Sequence, residues 1–166
     1  MAQDPALEVL KQAILLERQG KAFYEQVSRQ SQAQPVTELF QTMAEEETRH
    51  IDVLSRQFSG YADSGRFDQA EMEASSAGIP SEILTRDIRA QISAAGYEAA
   101  AISAAMDMEN RAVRVYSERA QAAADPNERR LYSWLADWER GHLKLLADIN
   151  DALVEDIWHE NNFWPF

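Results

Sequence analysis

Apolar residues recur at spacings of three and four along four stretches of this chain, and each stretch predicts an amphipathic helix. In the first, Leu10, Ala13, Gly20, Tyr24 and Val27 trace one face, and Asp4-Pro5 supplies an N-cap and a first-position proline. Glu17 sits in the middle of that face, where a charge is out of place. Pro35 is expected to open the second helix and Gly60 to end it, with Leu39, Met43, Glu47, His50 and Leu54 inward. The third is expected from about Gln91 to Ala124, with Ile102, Ala105, Glu109, Ala112 and Tyr116 inward. Asp125-Pro126-Asn127-Glu128 then combines a cap, a proline and an acid, and restarts the chain as a fourth helix. Its inner face carries Leu131, Leu135, Glu139, His142, Leu143 and Leu146.

The breaks near residues 31–35 and 125–127 are short, which implies two antiparallel hairpins, about 5–59 and 91–150. The connection of about 60–90 is long, contains Gly60, Gly65, Ser75-Ser76, Gly78 and Pro80, and is expected to hold a short helix after Pro80. A link of that length can run along a bundle and set one hairpin beside the other. The expected fold is all-α: a four-helix bundle with one long crossover, spanning 1–166 as a single domain. The tail 151–166 differs in composition, with Trp158, Phe163, Trp164 and Phe166. Such an end is expected to pack back on the body or to form an oligomer contact.

The polar residues on the inner faces form a repeat. Glu17 is followed by Glu47-Thr48-Arg49-His50, and Glu109 by Glu139-Arg140-Gly141-His142, with every matched pair separated by 92 residues. Tyr24 and Tyr116 obey the same offset. In Glu-x-x-His on a helix the two side chains point the same way, one turn apart, so one helix offers a carboxylate and an imidazole to one ion. Two such helices and one glutamate from each of two others assemble oxygen and nitrogen ligands that suit iron, manganese or zinc. Carboxylates also bridge two ions at the roughly 3.5–4 Å typical of two-metal sites. Buried carboxylates without compensation cost on the order of several kcal/mol each, and two divalent ions would neutralise four of them. Glu46 could also face His50, at i+4, but the shared offset favours Glu47.

Composition narrows the choice. The net charge of −12 disfavours nucleic acid and favours cations. With no cysteine, disulfides and iron–sulfur clusters are excluded. No secretory signal is visible at the start and no run approaches the ~20 apolar residues of a membrane span, so a cytoplasmic protein is expected, with no membrane partner.

The strings AILLERQGKAFYEQVS, MAEEETRHIDVL, MDMENRAVRVYSERA and LADWERGHLKLL resemble the ferritin-like superfamily, and within it the rubrerythrins, over about residues 8–58 and 97–150. That resemblance implies a ferritin-like bundle and a di-iron centre that reacts with O2 or hydrogen peroxide. It implies Glu17 and Glu109 as mainly terminal ligands, Glu47 and Glu139 as bridging ones, and His50 and His142 each on one iron. Two features depart from the family. The sequence has no cysteine to build the family's four-cysteine rubredoxin domain, so electrons are expected from another protein or from Fe2+ itself. The extra glutamate often found three residues after the third-helix ligand is Ala112 here, and its repeat partner is Gly20. That departure counts against efficient peroxidase activity and leaves room for ferrous oxidation.

Tyr24 and Tyr116, two turns past Glu17 and Glu109, are expected to orient the metal carboxylates through their hydroxyls. Trp134 and Trp138 are expected to fill core space near the second motif, with electron transfer as the alternative. The leading expectation is a di-iron oxidoreductase, a ferroxidase or peroxide reductase, in oxidative-stress defence or iron handling. It would take Fe2+ and O2 or hydrogen peroxide, draw on an external electron-donor protein, and form a homodimer or larger homo-oligomer. Its rivals are an iron storage or delivery protein and a non-catalytic helical binding module stabilised by zinc or manganese.

Overall fold

The computed structural model describes residues 4–69 and 81–160. Five helices follow in order: α1 (Pro5–Gln30), α2 (Gln34–Ser64), α3 (Ser81–Arg89), α4 (Tyr97–Ala122) and α5 (Pro126–Glu160). Helices α1 and α2 form one hairpin and α4 and α5 the other. The chain is a ferritin-like four-helix bundle with α3 in the crossover, as the periodicity predicts. Among the described residues no helix is long and apolar enough to cross a membrane.

The helix starts obey local chemistry. Asp4 accepts a hydrogen bond from the backbone N–H of Ala6 at 2.9 Å, and Asp125 accepts from Asn127 at 2.7 Å. Each satisfies a backbone donor that the helix itself leaves unpaired. Glu98, in the first turn of α4, accepts from the Ser31 hydroxyl and the Gln32 N–H at 3.1 and 3.2 Å. The α1–α2 loop is thereby tied to the second hairpin.

Three boundaries differ from the expected ones. Helix α2 does not stop at Gly60. It continues to Ser64 and ends on Gly65, whose φ of 69° is left-handed. A glycine ends a helix only where the chain takes that conformation; elsewhere its penalty of about 1 kcal/mol is tolerated. Helix α4 begins at Tyr97, not near Gln91. Residues 90–92 instead close turns onto Arg86 and Ile88, and Gly96 caps α4. Residues 151–160 continue α5 and are not a separate tail. Helix α3 explains the extension: Leu84 and Ile88 share a buried cluster with Ile149 and Leu153, and Arg89 pairs with both carboxylate oxygens of Asp156. Trp158 is exposed near the end of that helix, and the other aromatic residues of the tail, Phe163, Trp164 and Phe166, lie outside the described residues, as do Ser75-Ser76, Gly78 and Pro80.

The core falls into two apolar clusters, and the 92-residue repeat divides between them. Tyr24, Leu39, Met43, Ile102, Ala105 and Leu146 belong to one. Their repeat partners Tyr116, Leu131, Leu135, Leu10, Ala13 and Leu54 all belong to the other. A pairing that exchanges the two ends of the bundle means that the hairpins are related by an approximate two-fold axis across the bundle. The buried polar residues lie where that axis passes, between the clusters.

Gly65→Ala should lower the unfolding free energy by about 1–2 kcal/mol, the strain of a left-handed L-residue. Gly65→Asn, a residue that tolerates that conformation, should lose less; Gly60 is a poor reference, because an added Cβ there would meet Asp68 Oδ2 at 2.5 Å. Urea denaturation of Gly65→Ala and Gly65→Asn checks the assignment of the helix end.

Candidate metal centre

Each bundle helix delivers its share of the polar layer. Glu17 comes from α1, Glu47 and His50 from α2, Glu109 from α4, and Glu139 and His142 from α5; all six are buried. Their atoms gather into two overlapping groups, each with candidate ligand atoms within 4.8 Å of one another. One holds Glu17, Glu47, His50 and Glu139; the other holds Glu47, Glu109, Glu139 and His142. Glu47 and Glu139 stand in both. All six residues singled out by the repeat are brought together.

The histidines face inward through the same nitrogen. His50 Nδ1 lies 2.9 Å from Glu17 Oε2 and 3.1 Å from Glu139 Oε1. His142 Nδ1 lies 3.1 Å from Glu139 Oε2 and 3.3 Å from Glu109 Oε1. Their outer nitrogens differ. His142 Nε2 meets Glu46 at 2.5 Å, whereas His50 packs its ring edge-on to the indoles of Trp134 and Trp138.

The tyrosines cross between hairpins. Tyr24 on α1 donates to Glu109 on α4, and Tyr116 on α4 donates to Glu17 on α1. Each therefore orients the carboxylate of the opposite hairpin, because α1 and α4 run antiparallel through the site. Sequence reasoning placed these hydroxyls on the carboxylates but left open which tyrosine serves which. It missed Glu46 as a partner of His142. The signal lay in the repeat itself, for position 46 matches position 138, where the residue is tryptophan.

A narrow cleft of about 20 Å³ reaches the layer between α1 and α4. Leu16, Gly20, Met108 and Ala112 are among its lining residues, and Glu17, Glu47, Glu109 and Glu139 also line it. Leu16 with Met108 and Gly20 with Ala112 are two more repeat pairs, so the opening lies close to the two-fold axis; Tyr24 lines it too, without its partner Tyr116.

The donor set fits metal on its own terms. Glu139 Oε1 is fully buried and, among the described residues, makes no hydrogen bond of good geometry, although His50 Nδ1 is near. A buried acceptor without a hydrogen bond costs about 1–3 kcal/mol, which a cation at the shared edge of the two groups would remove. Comparison with known proteins agrees: a model of the rubrerythrin family matches residues 8–150, a span that contains all six residues. No curated protein and no solved structure matches the chain.

Without metal, the layer must hold protons. Burial lifts the Glu109 carboxyl to about 8, helped by the charge of Glu139 and opposed by His142. Burial and the charges of Glu17 and Glu139 raise Glu47. Burial disfavours imidazolium at His50 and His142, but the facing carboxylates outweigh it and both lie well above the ordinary histidine value. Burial alone would raise Glu139, yet the hydrogen bond from His142 and the imidazole of His50 beside it hold it below the usual carboxylate range. From about pH 6 to pH 8 the folded metal-free chain therefore binds more protons than the unfolded one, and its stability falls as pH rises. The depressed Glu139 contributes oppositely, but its stabilisation is lost only at acid pH, outside that window. Thermal denaturation of chelator-treated protein should show Tm falling between about pH 6 and pH 8.5. Saturating Mn2+ should abolish or reverse the slope, because metal displaces those protons. A metal-free Tm that rises across the window would contradict this electrostatic account.

Proposed function

The chain belongs to the rubrerythrin family, and from that premise we propose that it binds two iron ions in the polar layer and couples oxidation of Fe2+ to reduction of O2 or hydrogen peroxide. The observation that carries the reading is the pair of overlapping ligand groups sharing Glu47 and Glu139. Glu17 and His50 would serve one ion, Glu109 and His142 the other, and the two shared carboxylates both. Mixed carboxylate and imidazole ligation suits iron, and four carboxylates balance two divalent charges. Such an iron pair supplies two electrons at one place, enough to reduce one hydrogen peroxide and two protons to two waters.

The surrounding residues have separable tasks. Tyr116 and Tyr24 hold Glu17 and Glu109 by hydrogen bonds, which keeps the carboxylates aimed at the ions. Both tyrosines keep their protons at any ordinary pH, since burial raises each well above the usual phenol value. They remain donors. The cleft beside Gly20 has room for about one water-sized molecule, which favours a small oxidant. A Cβ at Gly20 would meet Glu47 at 3.6 Å, an ordinary contact, so alanine is accommodated there and a larger side chain would crowd the opening.

Anaerobic Fe2+ titration should saturate at two ions per chain, and admitting air should then produce ferric absorption in the near ultraviolet. Glu47→Ala should lose the pair. Failure of the wild type to saturate near two ions would sink the proposal. Gly20→Leu should keep the metal count and slow oxidation by hydrogen peroxide several-fold, measured by stopped-flow absorbance. An unchanged rate would mean that the oxidant enters elsewhere.

A further inference from the structure

The repeat is broken at one place that touches the centre. Glu46 and Trp138 occupy equivalent positions of the two hairpins, and each contacts the histidine of the other hairpin. Glu46, itself buried, places Oε2 2.5 Å from His142 Nε2. Trp138 instead stands 5.2 Å from the His50 ring, centroid to centroid, at 87°, and Trp134 stands 5.3 Å away at 78°. His50 Nε2 is fully buried and has no hydrogen-bond partner among the described residues. The remaining first-layer groups are matched pair for pair, so this difference is not an accident of one hairpin being incomplete.

The consequence follows from imidazole chemistry. A neutral ring that offers its Nδ1 lone pair to a metal carries its proton on Nε2. At His142 that N–H has a carboxylate acceptor, which fixes the tautomer, locks the ring angle and makes Nδ1 a better donor. At His50 the same nitrogen has no hydrogen-bond partner among the described residues, and the ring packs against the indoles of Trp134 and Trp138. The ring is held by packing and gains no basicity.

We propose that the two ion positions are unequal: the Glu109–His142 position fills first and more tightly, and Glu46 is the positioning residue that makes it so. The Glu17–His50 position fills second and is the labile one. This inference rests on the two-ion reading above. It assigns the two half-sites different tasks, one retaining its ion and the other exchanging ion with solution.

Anaerobic calorimetric titration with Co2+, read in parallel through its visible absorption, tests this without any turnover. Wild type should show two separate binding steps. Glu46→Ala should weaken the tighter step by about 10–100-fold, the usual effect of removing a carboxylate behind a metal-bound histidine. The weaker step should be unchanged, and so should the far-UV circular dichroism. Glu46→Gln, which keeps the volume and a neutral acceptor, should fall between wild type and alanine and serves if alanine does not fold. In the Co2+-loaded protein, the most downfield exchangeable imidazole proton should move on Glu46→Gln. Two equal steps in wild type, or both steps weakened alike by either variant, overturn the inequality while leaving the two-ion reading intact. No cobalt bound at all overturns that reading itself.

Discussion

Six ionisable side chains sit in a buried layer reached by a cleft of about 20 Å³, and the bundle is stable only if their charges are settled there. Burying a carboxylate unpaired costs several kcal/mol, comparable to the whole stability margin of a domain this size. Everything near the layer answers that demand. Two histidines face four carboxylates, two tyrosines donate to the outer pair, and apolar clusters above and below hold the helices so that no group can turn outward. Protons meet the demand in the metal-free protein, through raised affinities at Glu109, Glu47 and both histidines. Metal ions would meet it with better geometry, because one cation reaches several oxygens at once.

The approximate two-fold axis turns a local pattern into a site. One hairpin contributes a carboxylate, a Glu-x-x-His pair and a tyrosine; the axis supplies the same set facing the other way. Because the axis exchanges the ends of the bundle, each tyrosine meets the glutamate of the opposite hairpin. The hydroxyls thus link the hairpins directly at the layer, and the loop contact of Glu98 with Ser31 and Gln32 links them at one end. The shared carboxylates, one from each hairpin, are those on α2 and α5. A site divided this way cannot form within a single hairpin.

The boundaries that periodicity misplaced are instructive. Gly60 and Gly65 look alike in a sequence; only the second takes a left-handed φ, and that depends on the crossover turning back at Phe67 and Asp68. Gln57 pairs with both backbone groups of Asp68, and Asn127 donates to the Phe67 carbonyl, so the turn is set by α2 and α5. The extension of α5 to Glu160 likewise needs α3 as a partner, since Ile149 and Leu153 have nothing to pack against within their own helix.

The order of apolar and polar residues determined four helices, their inward faces and the six groups that meet, because i, i+3 and i+4 spacing is a property of one helix and needs no neighbour. The offset of 92 determined that the two halves would be equivalent. Tertiary structure decided what crosses between elements. It set Tyr24 on Glu109, sent Glu46 to His142 and not to His50 on its own helix, and put Trp138 where a carboxylate would otherwise stand. Those contacts depend on the rotation and antiparallel register of one hairpin against the other, which only packing of the complete bundle fixes.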